Sequence, residues 1–319
     1  MNRAVPTPAA LMPDPGIIVL GLSLVLVGLI AISSASIEYA QINYNSTTFH
    51  TKRHLIYMVV AGIASVAVYR IPLQFWEETG WIWLFAALGL LILVLIPGVG
   101  REVNGSQRWL PLGPFTLQPS EFAKLAMIVY LAGYMVRREH EVRHQWQGFL
   151  KPMAVLFAAT LLLMVEPDFG ATVIVAGSAF GMLFLAGVKL GHFLVVLAGA
   201  LGALLVLVVS EPYRVKRLTA YTDPWADPYD TGFQLTQSLI AFGRGEWFGV
   251  GLGNSVQKLF YLPEAHTDFV FSIWAEETGF IGALTVILLY AALIGRVLWV
   301  GRAAQLVNYP FGAYLCYGI

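Results

Sequence analysis

A carboxylate at the edge of a long apolar run can act as a general base, and Asp268, in PEAHTDFVF just where such a run starts, has that position. The same position suits a helix cap, because an Asp or Thr there accepts hydrogen bonds from free backbone amides. Pattern alone leaves both readings open. Around Asp268 the stretch Tyr221–Gly279 also gathers Asp223, Asp227, Asp230, Glu246, Glu264, Glu276 and Glu277, with Arg244, Lys258 and His266. Glu276 and Glu277 fall inside or near the hydrocarbon layer, where ionisable groups are costly and so are paired or functional; pairing is the favoured reading. Lys124 follows Glu121 at i, i+3, which makes either an ion pair or a cation facing an anionic lipid head group.

Other patterns carry less chemistry. GVGLGN (Gly249–Asn254) has no preceding strand, no GxGxxG spacing and no phosphate-binding Lys, so it reads as a tight turn and not a nucleotide loop. His266 has only Glu264 and Asp268 at ligand spacing, too few for a dedicated transition-metal site. Carboxylates facing a diphosphate could still share Mg²⁺ or Mn²⁺, since Mg²⁺ needs few protein ligands. Asp268 and Asp168 are the candidates. No organic cofactor is expected. Asn45-Ser46-Thr47 and Asn104-Gly105-Ser106 match a glycosylation sequon short enough to arise by chance.

These residues must be held by membrane helices. The 319 residues are 58% hydrophobic and 12% charged, with mean hydropathy +0.70 and net charge 0, outside the range of soluble domains and with nothing to suggest nucleic acid. The lone Cys316 rules out an internal disulfide. After a Pro-rich lead over residues 1–15, spans are predicted at Gly16–Ile37, Leu55–Tyr69, Trp81–Pro97, Pro119–Val136, two halves of Pro152–Val188 split at EPDFG, Leu190–Ser210 and Phe269–Gly295. That makes eight, and Ala303–Ile319 reads as the start of a ninth. RWLPLGPFTLQPSEFAK (Arg108–Lys124) reads as a short hairpin around Gly113-Pro114 followed by a helix opened by Pro119, with Trp109 as an interfacial anchor or a sugar-stacking face.

Loops after even-numbered spans, with the lead, hold nine basic residues (Arg3, Arg70, Arg137, Arg138, Arg143, Lys151, Lys189, Arg296, Arg302). The short loops of the other side hold four (Lys52, Arg53, Arg101, Arg108). The positive-inside rule then puts the N-terminus in the cytoplasm and every chemically rich loop, including Glu211–Asp268, outside. The helix break at Asp168 opens to that same outer face.

The segments NGSQRWL, QPSEFAKL, EPDFGATV, DPYDTGFQLTQSLIAFGRGEWFGVGLGNSVQK and YLPEAHTDFVFSIWAEETG resemble the SEDS family of bacterial membrane proteins. GLGNSVQK followed by YLPEAHTDF is closer to its division members than to its elongation members. The likeness runs from the first helix to the eighth, and the family's C-terminal SYGGS-type segment is absent. The resemblance implies an all-α polytopic membrane protein, a GT-C-like bundle of about ten helices forming one transmembrane domain over 1–319, with a large extracytoplasmic loop at 211–268 and its last helices missing. It implies a peptidoglycan glycosyltransferase that polymerises lipid II at the division septum of the bacterial inner membrane.

Implied partners are lipid II and the nascent glycan strand, a class B penicillin-binding transpeptidase (FtsI-like) and the division proteins FtsQ, FtsL and FtsB. Carried over by motif, the family's essential loop aspartate is Asp268, the aspartate of its PD-G break is Asp168, and its loop-helix glutamine is Gln237. Lys124, Glu121, Trp109, Arg108, Lys258 and His266 complete the residues expected to bind substrate or support the site. Diphosphate is already a good leaving group, so one base can drive a single inverting displacement. Two rivals remain: a flippase for lipid-linked precursors, which suits intramembrane charges and broken helices, and a division scaffold that only binds partners.

Overall fold

The computed structural model describes residues 13–319 apart from 104, 105, 114, 211 and 231. Arg3, Glu211, the sequon residues Asn104 and Gly105, and Pro114 of the expected turn lie outside the described residues. In chain order the helices are α1 (Pro15–Ala35), α2 (Ile37–Tyr44), α3 (Phe49–Arg70), α4 (Leu73–Val94), α5 (Pro119–Arg137), α6 (Glu139–His144) and α7 (Trp146–Val165). They continue as α8 (Phe169–Leu185), α9 (Leu190–Val209), α10 (Pro212–Thr222), α11 (Phe233–Gly245), α12 (Val270–Leu306) and α13 (Pro310–Gly318). Six of the described helices (α1, α3, α4, α7, α9 and α12) are long and apolar enough to cross a membrane, and α8 is a shorter apolar helix. The chain is not purely helical. Strands β1 (Arg101–Val103), β2 (Ser106–Leu112) and β3 (Phe115–Leu117) form a three-stranded antiparallel meander. The expected hairpin is its second half, with Leu112 opposite Phe115.

Two compact units divide the chain: Met1–Val68 with Leu204–Arg296, and Tyr69–Ala203 with Val297–Ile319. In the first unit, α1 and α12 run antiparallel and are tied at both ends. Asp14, read as part of a loose lead, is instead the N-cap of α1: its Oδ1 accepts from the Ile17 amide at 3.0 Å, and Pro15 opens the helix. Arg296 grips the same carboxylate, Nη2 to Oδ2 at 2.8 Å, and that hydrogen bond holds the Asp14 carboxyl below its usual range. At the other end Ser34 donates to Glu277 at 2.7 Å. Twenty residues of helix between those ends rise about 30 Å, the thickness of a hydrocarbon core. The N-terminal end of α1 therefore shares a side with Arg296, as the loop parity expected.

The last spans differ from expectation. α12 is one element from Val270 to Leu306, broken at Gly279, where φ is 71° and ψ −169°. The groups freed by the break are taken up by the chain preceding it. The Val250 and Gly251 amides donate to the Glu276 and Glu277 carbonyls at 3.0 Å, and the Phe280 amide donates to the Glu246 carbonyl at 2.8 Å. A broken membrane helix is tolerated only where its backbone groups are re-satisfied in this way. Close approach requires glycine: a Cβ on Gly249, where φ is +78°, would overlap the Glu277 carbonyl, and one on Gly279 would overlap the Gly249 amide. GVGLGN is thus the lining of a helix break. Gly249→Ala is expected to destabilise the protein by at least about 1–3 kcal/mol, from strain at positive φ before the clash is counted. Unfolding of the purified variant in detergent measures this, and wild-type stability would contradict it. The helix expected from Ala303 begins instead at Pro310, because α12 continues to Leu306 and a turn with Asn308 at φ 60° separates the two.

In the second unit, α4 and α5 pack along their length, with Gly80 letting α4 approach the Val129 carbonyl. α7, α8 and α13 complete a core that includes Leu91, Leu131, Phe149, Leu163, Met182 and Phe311. The helices α3 and α9 bury no residue within the chain. Their outward side chains suit a bilayer, where lipid replaces a protein core.

Candidate active site

The first unit holds Asp268, His266, Lys258 and Gln237. The second holds Asp168, Arg108, Trp109, Glu121 and Lys124.

Asp268 is exposed, two residues before α12, and no described residue donates a hydrogen bond to its carboxylate. The capping reading is thereby corrected. The turn before α12 closes through the Glu264 carbonyl, which accepts from the amides of Thr267 at 3.1 Å and Phe269 at 3.2 Å. A carboxylate without a structural partner keeps its lone pairs for a substrate proton.

Glu276 and Glu277, one to two turns into α12, are spent on structure. Glu276 accepts from the amides of Val256 at 3.1 Å and Gln257 at 3.3 Å and from the Ser255 hydroxyl, with Arg244 3.7 Å away. Glu277 is paired with Lys258 at 2.8 Å and accepts from Ser34 and the Ser255 amide. Both carboxylates end the short helical segment before Gly279, where the helix dipole disfavours negative charge. The amides, hydroxyls and ammonium around them offset that cost. The Lys258 side chain is 5% exposed and also donates to Ser34 at 3.2 Å, so this lysine, expected among the substrate contacts, has its charge neutralised inside the protein.

His266 stacks on Tyr39 of α2 with ring centroids 4.4 Å apart, and His50 lies 5.0 Å from His266. Burial lowers the protonation range of His266 and so favours the neutral ring, against an opposing pull from Glu264. Gln237 is half-buried on α11, which is pinned to α12 by the buried Ser238–Ser272 hydroxyl pair at 2.7 Å.

In the second unit, Asp168 is the N-cap of α8: Oδ1 accepts from the Ala171 amide at 3.1 Å, and Gln118 donates to Oδ2 at 3.4 Å. The turn EPDFG accounts for its carboxylate by local structure. Arg108 donates from β2 to the Glu166 carbonyl at 3.1 Å and to the Pro167 carbonyl, fixing the break between α7 and α8. Lys124 and Glu121 form the i, i+3 pair at 2.8 Å, and Trp109 is half-buried on β2. Among the described residues no three His, Cys, Asp or Glu gather as a metal site. Of the two carboxylates expected to share Mg²⁺ or Mn²⁺, Asp168 has its oxygens in contact with the Ala171 amide and Gln118, and Asp268 is exposed.

Sequence reasoning passed over Glu166. Its carboxyl is 1% exposed and neither oxygen has a described hydrogen-bond partner. Burial first, and Asp168 second, push it up to about 8, against Arg108. Since its folded value lies above the ordinary 4.5, the contribution to stability is complete below that ordinary value and is lost as pH rises through about 8. Glu166→Gln is expected to flatten the pH dependence of the melting temperature between about pH 4.5 and 8. Superimposable wild-type and variant curves would refute this. Tyr39, Ser34 and His50 were also missed; nothing in their local sequence marks them.

The model of a family described as "Cell cycle protein" (FtsW/RodA/SpoVE) matches residues 16–319. A Hahella chejuensis protein named "Probable peptidoglycan glycosyltransferase FtsW" is 52% identical over 298 residues, covering 93% of this chain and 75% of that protein. A Pseudomonas fluorescens protein of the same name is 51% identical over 298 residues, covering 93% and 73%. Among solved structures, a chain of a peptidoglycan synthase complex that coordinates polymerization and crosslinking matches with TM-score 0.74 and 26% identity over 96% of this chain and 83% of that one. The rod shape determining protein RodA of Thermus thermophilus matches with TM-score 0.67 and 25% identity, covering 98% and 83%.

Proposed function

This chain belongs to the FtsW/RodA/SpoVE family of cell cycle proteins, and on that footing we propose that it polymerises lipid II into glycan strands with Asp268 as the general base. It is a peptidoglycan glycosyltransferase built into the bacterial inner membrane. The observation that carries the mechanism is the exposed, unengaged carboxylate of Asp268 beside two glutamates that are fully committed to structure.

In the reaction the GlcNAc 4-hydroxyl of one lipid II attacks the MurNAc C1 of another. Asp268 takes the hydroxyl proton, the new C–O bond forms as the bond to the polyprenyl diphosphate breaks, and C1 inverts. A base of this kind contributes roughly 10²–10⁴ in rate. Gln237, on the helix pinned to α12, would orient substrate near Asp268. Asp168 and Arg108 would act as positioning residues by holding the outer end of the second unit. Lys124, Glu121 and Trp109, on α5 and β2 of that unit, would face lipid-linked substrate. The bundle is of GT-C type with about ten helices, its N-terminus cytoplasmic and its long loop outside. It works at the septum beside a class B penicillin-binding transpeptidase, FtsI-like, with FtsQ, FtsL and FtsB; the likeness to a chain of a peptidoglycan synthase complex supports the transpeptidase.

The break at Gly279 is the feature that favours a transporter. Against that reading, the carboxylates beside the break already have protein partners and would leave a passing substrate unserved. Incubation of the purified chain with labelled lipid II, with and without the transpeptidase, separates the two. Glycan polymer is the expected product; translocation of lipid II across vesicles without polymer would replace the reading.

A further inference from the structure

A cavity of about 280 Å³ lies in the first unit, bounded by Ala35, Tyr39, Lys258, Phe260 and the run Leu262–His266. Its wall is the same turn that presents Asp268, since the Glu264 carbonyl takes the Thr267 and Phe269 amides on either side of it. We propose that this cavity is the subsite for the acceptor's terminal pyranose, a neutral N-acetylated amino sugar. The assignment rests on the glycosyltransferase reading and adds to it where the attacking sugar sits.

Three observations select that ligand. The first is size: at about 280 Å³ the cavity lies just below the roughly 300–1,000 Å³ typical of ligand pockets, which suits one sugar ring and not a polyprenyl tail. The second is charge. A diphosphate needs an uncommitted cation, yet the Lys258 ammonium is paired with Glu277 at 2.8 Å and bonded to Ser34. His266 is held towards its neutral form by burial, and Glu264 brings a negative charge that accepts from the Thr267 hydroxyl at 2.8 Å. An anion is therefore repelled and a neutral polyol is not. The third is the wall itself: Tyr39 and Phe260 offer aromatic surface for the apolar face of a pyranose, while Glu264 and His266 offer acceptors for its hydroxyls. Phe260 is held at φ 65° in the turn Gln257–Tyr261 and remains half exposed, a large ring kept at the cavity instead of packed into the core.

Direct binding of chitotriose, an oligomer of N-acetylglucosamine, to the purified full chain tests this without turnover. Wild type and Asp268→Asn are expected to bind it alike, with inorganic pyrophosphate failing to compete. Tyr39→Ala and Phe260→Ala are expected to weaken binding at least tenfold and, in lipid II polymerisation, to raise KM with little change in kcat. Tyr39→Phe, which keeps the ring, should restore binding, so a loss in the Ala variant alone is not a folding defect. No chitotriose binding by wild type, equal binding by the cavity variants, or displacement by pyrophosphate would each overturn the proposal. If wild type binds chitotriose yet makes no polymer from lipid II, the subsite stands as a sugar site and the glycosyltransferase reading is what fails.

Discussion

Asp268→Asn is expected to make essentially no glycan polymer while melting at the wild-type temperature and still binding lipid II. The two halves of that result come from different facts. An amide cannot take up a proton at neutral pH, so the general-base contribution of roughly 10²–10⁴ disappears. Stability is unaffected because no described residue donates to the Asp268 carboxylate, and the turn before α12 is closed by the Glu264 carbonyl instead. Asp268→Glu should lose about 10²-fold, since one added methylene displaces the carboxylate by about 1 Å. Near-normal polymerisation by the Asn variant, measured with labelled lipid II, would remove Asp268 from the chemistry altogether. The comparison with Asp168 sharpens the point. Asp168→Asn keeps the cap on α8, because Asn caps about as well as Asp, so any rate loss there is expected to be small beside that of Asp268→Asn.

Lys258→Met is expected to be the most destabilising change in the first unit, by about 3–5 kcal/mol, because it leaves the Glu277 charge buried without its partner. The Glu277 side chain is 1% exposed and that of Lys258 5%, so neither charge has water to fall back on. Ser34 and the Ser255 amide would remain as donors to Glu277, which supports the lower half of that range. Replacing both partners, Lys258→Met with Glu277→Gln, removes the unpaired charge and should recover much of the loss. Unfolding of the purified variants in detergent measures both steps. A stable single variant would show that Glu277 does not depend on Lys258. Activity gives a second readout. If Lys258 only holds the helix break together, the double variant regains polymerisation along with its fold; a folded but inactive double variant would place Lys258 on the substrate after all.

The sequence by itself determined that this is a helical membrane protein of this family. Uncharged runs of about twenty residues have few alternatives to crossing a bilayer, so Gly16–Ile37 and Leu190–Ser210 correspond to α1 and α9 within a residue or two. Proline is equally direct, since it opens α5 at Pro119 and separates α7 from α8 at Pro167 by its missing amide and fixed ring. The motifs around YLPEAHTDF carried the family and singled out Asp268.

What only the tertiary structure decided is which polar groups are free. Asp168 and Asp268 look alike in sequence, each an aspartate ahead of an apolar helix; one caps its helix and the other does not. Glu277 meets Lys258 nineteen residues away and Ser34 from α1, a pairing that no local period encodes. The break at Gly279 was hidden because Phe269–Gly295 reads as one uninterrupted span, and what stabilises the break is the backbone of Glu246–Gly251, a segment outside that helix. Periodicity and composition report what a segment does with its solvent. Desolvation and hydrogen-bond satisfaction depend on neighbours brought in from elsewhere in the chain, and these decide whether a carboxylate is structural or left for chemistry.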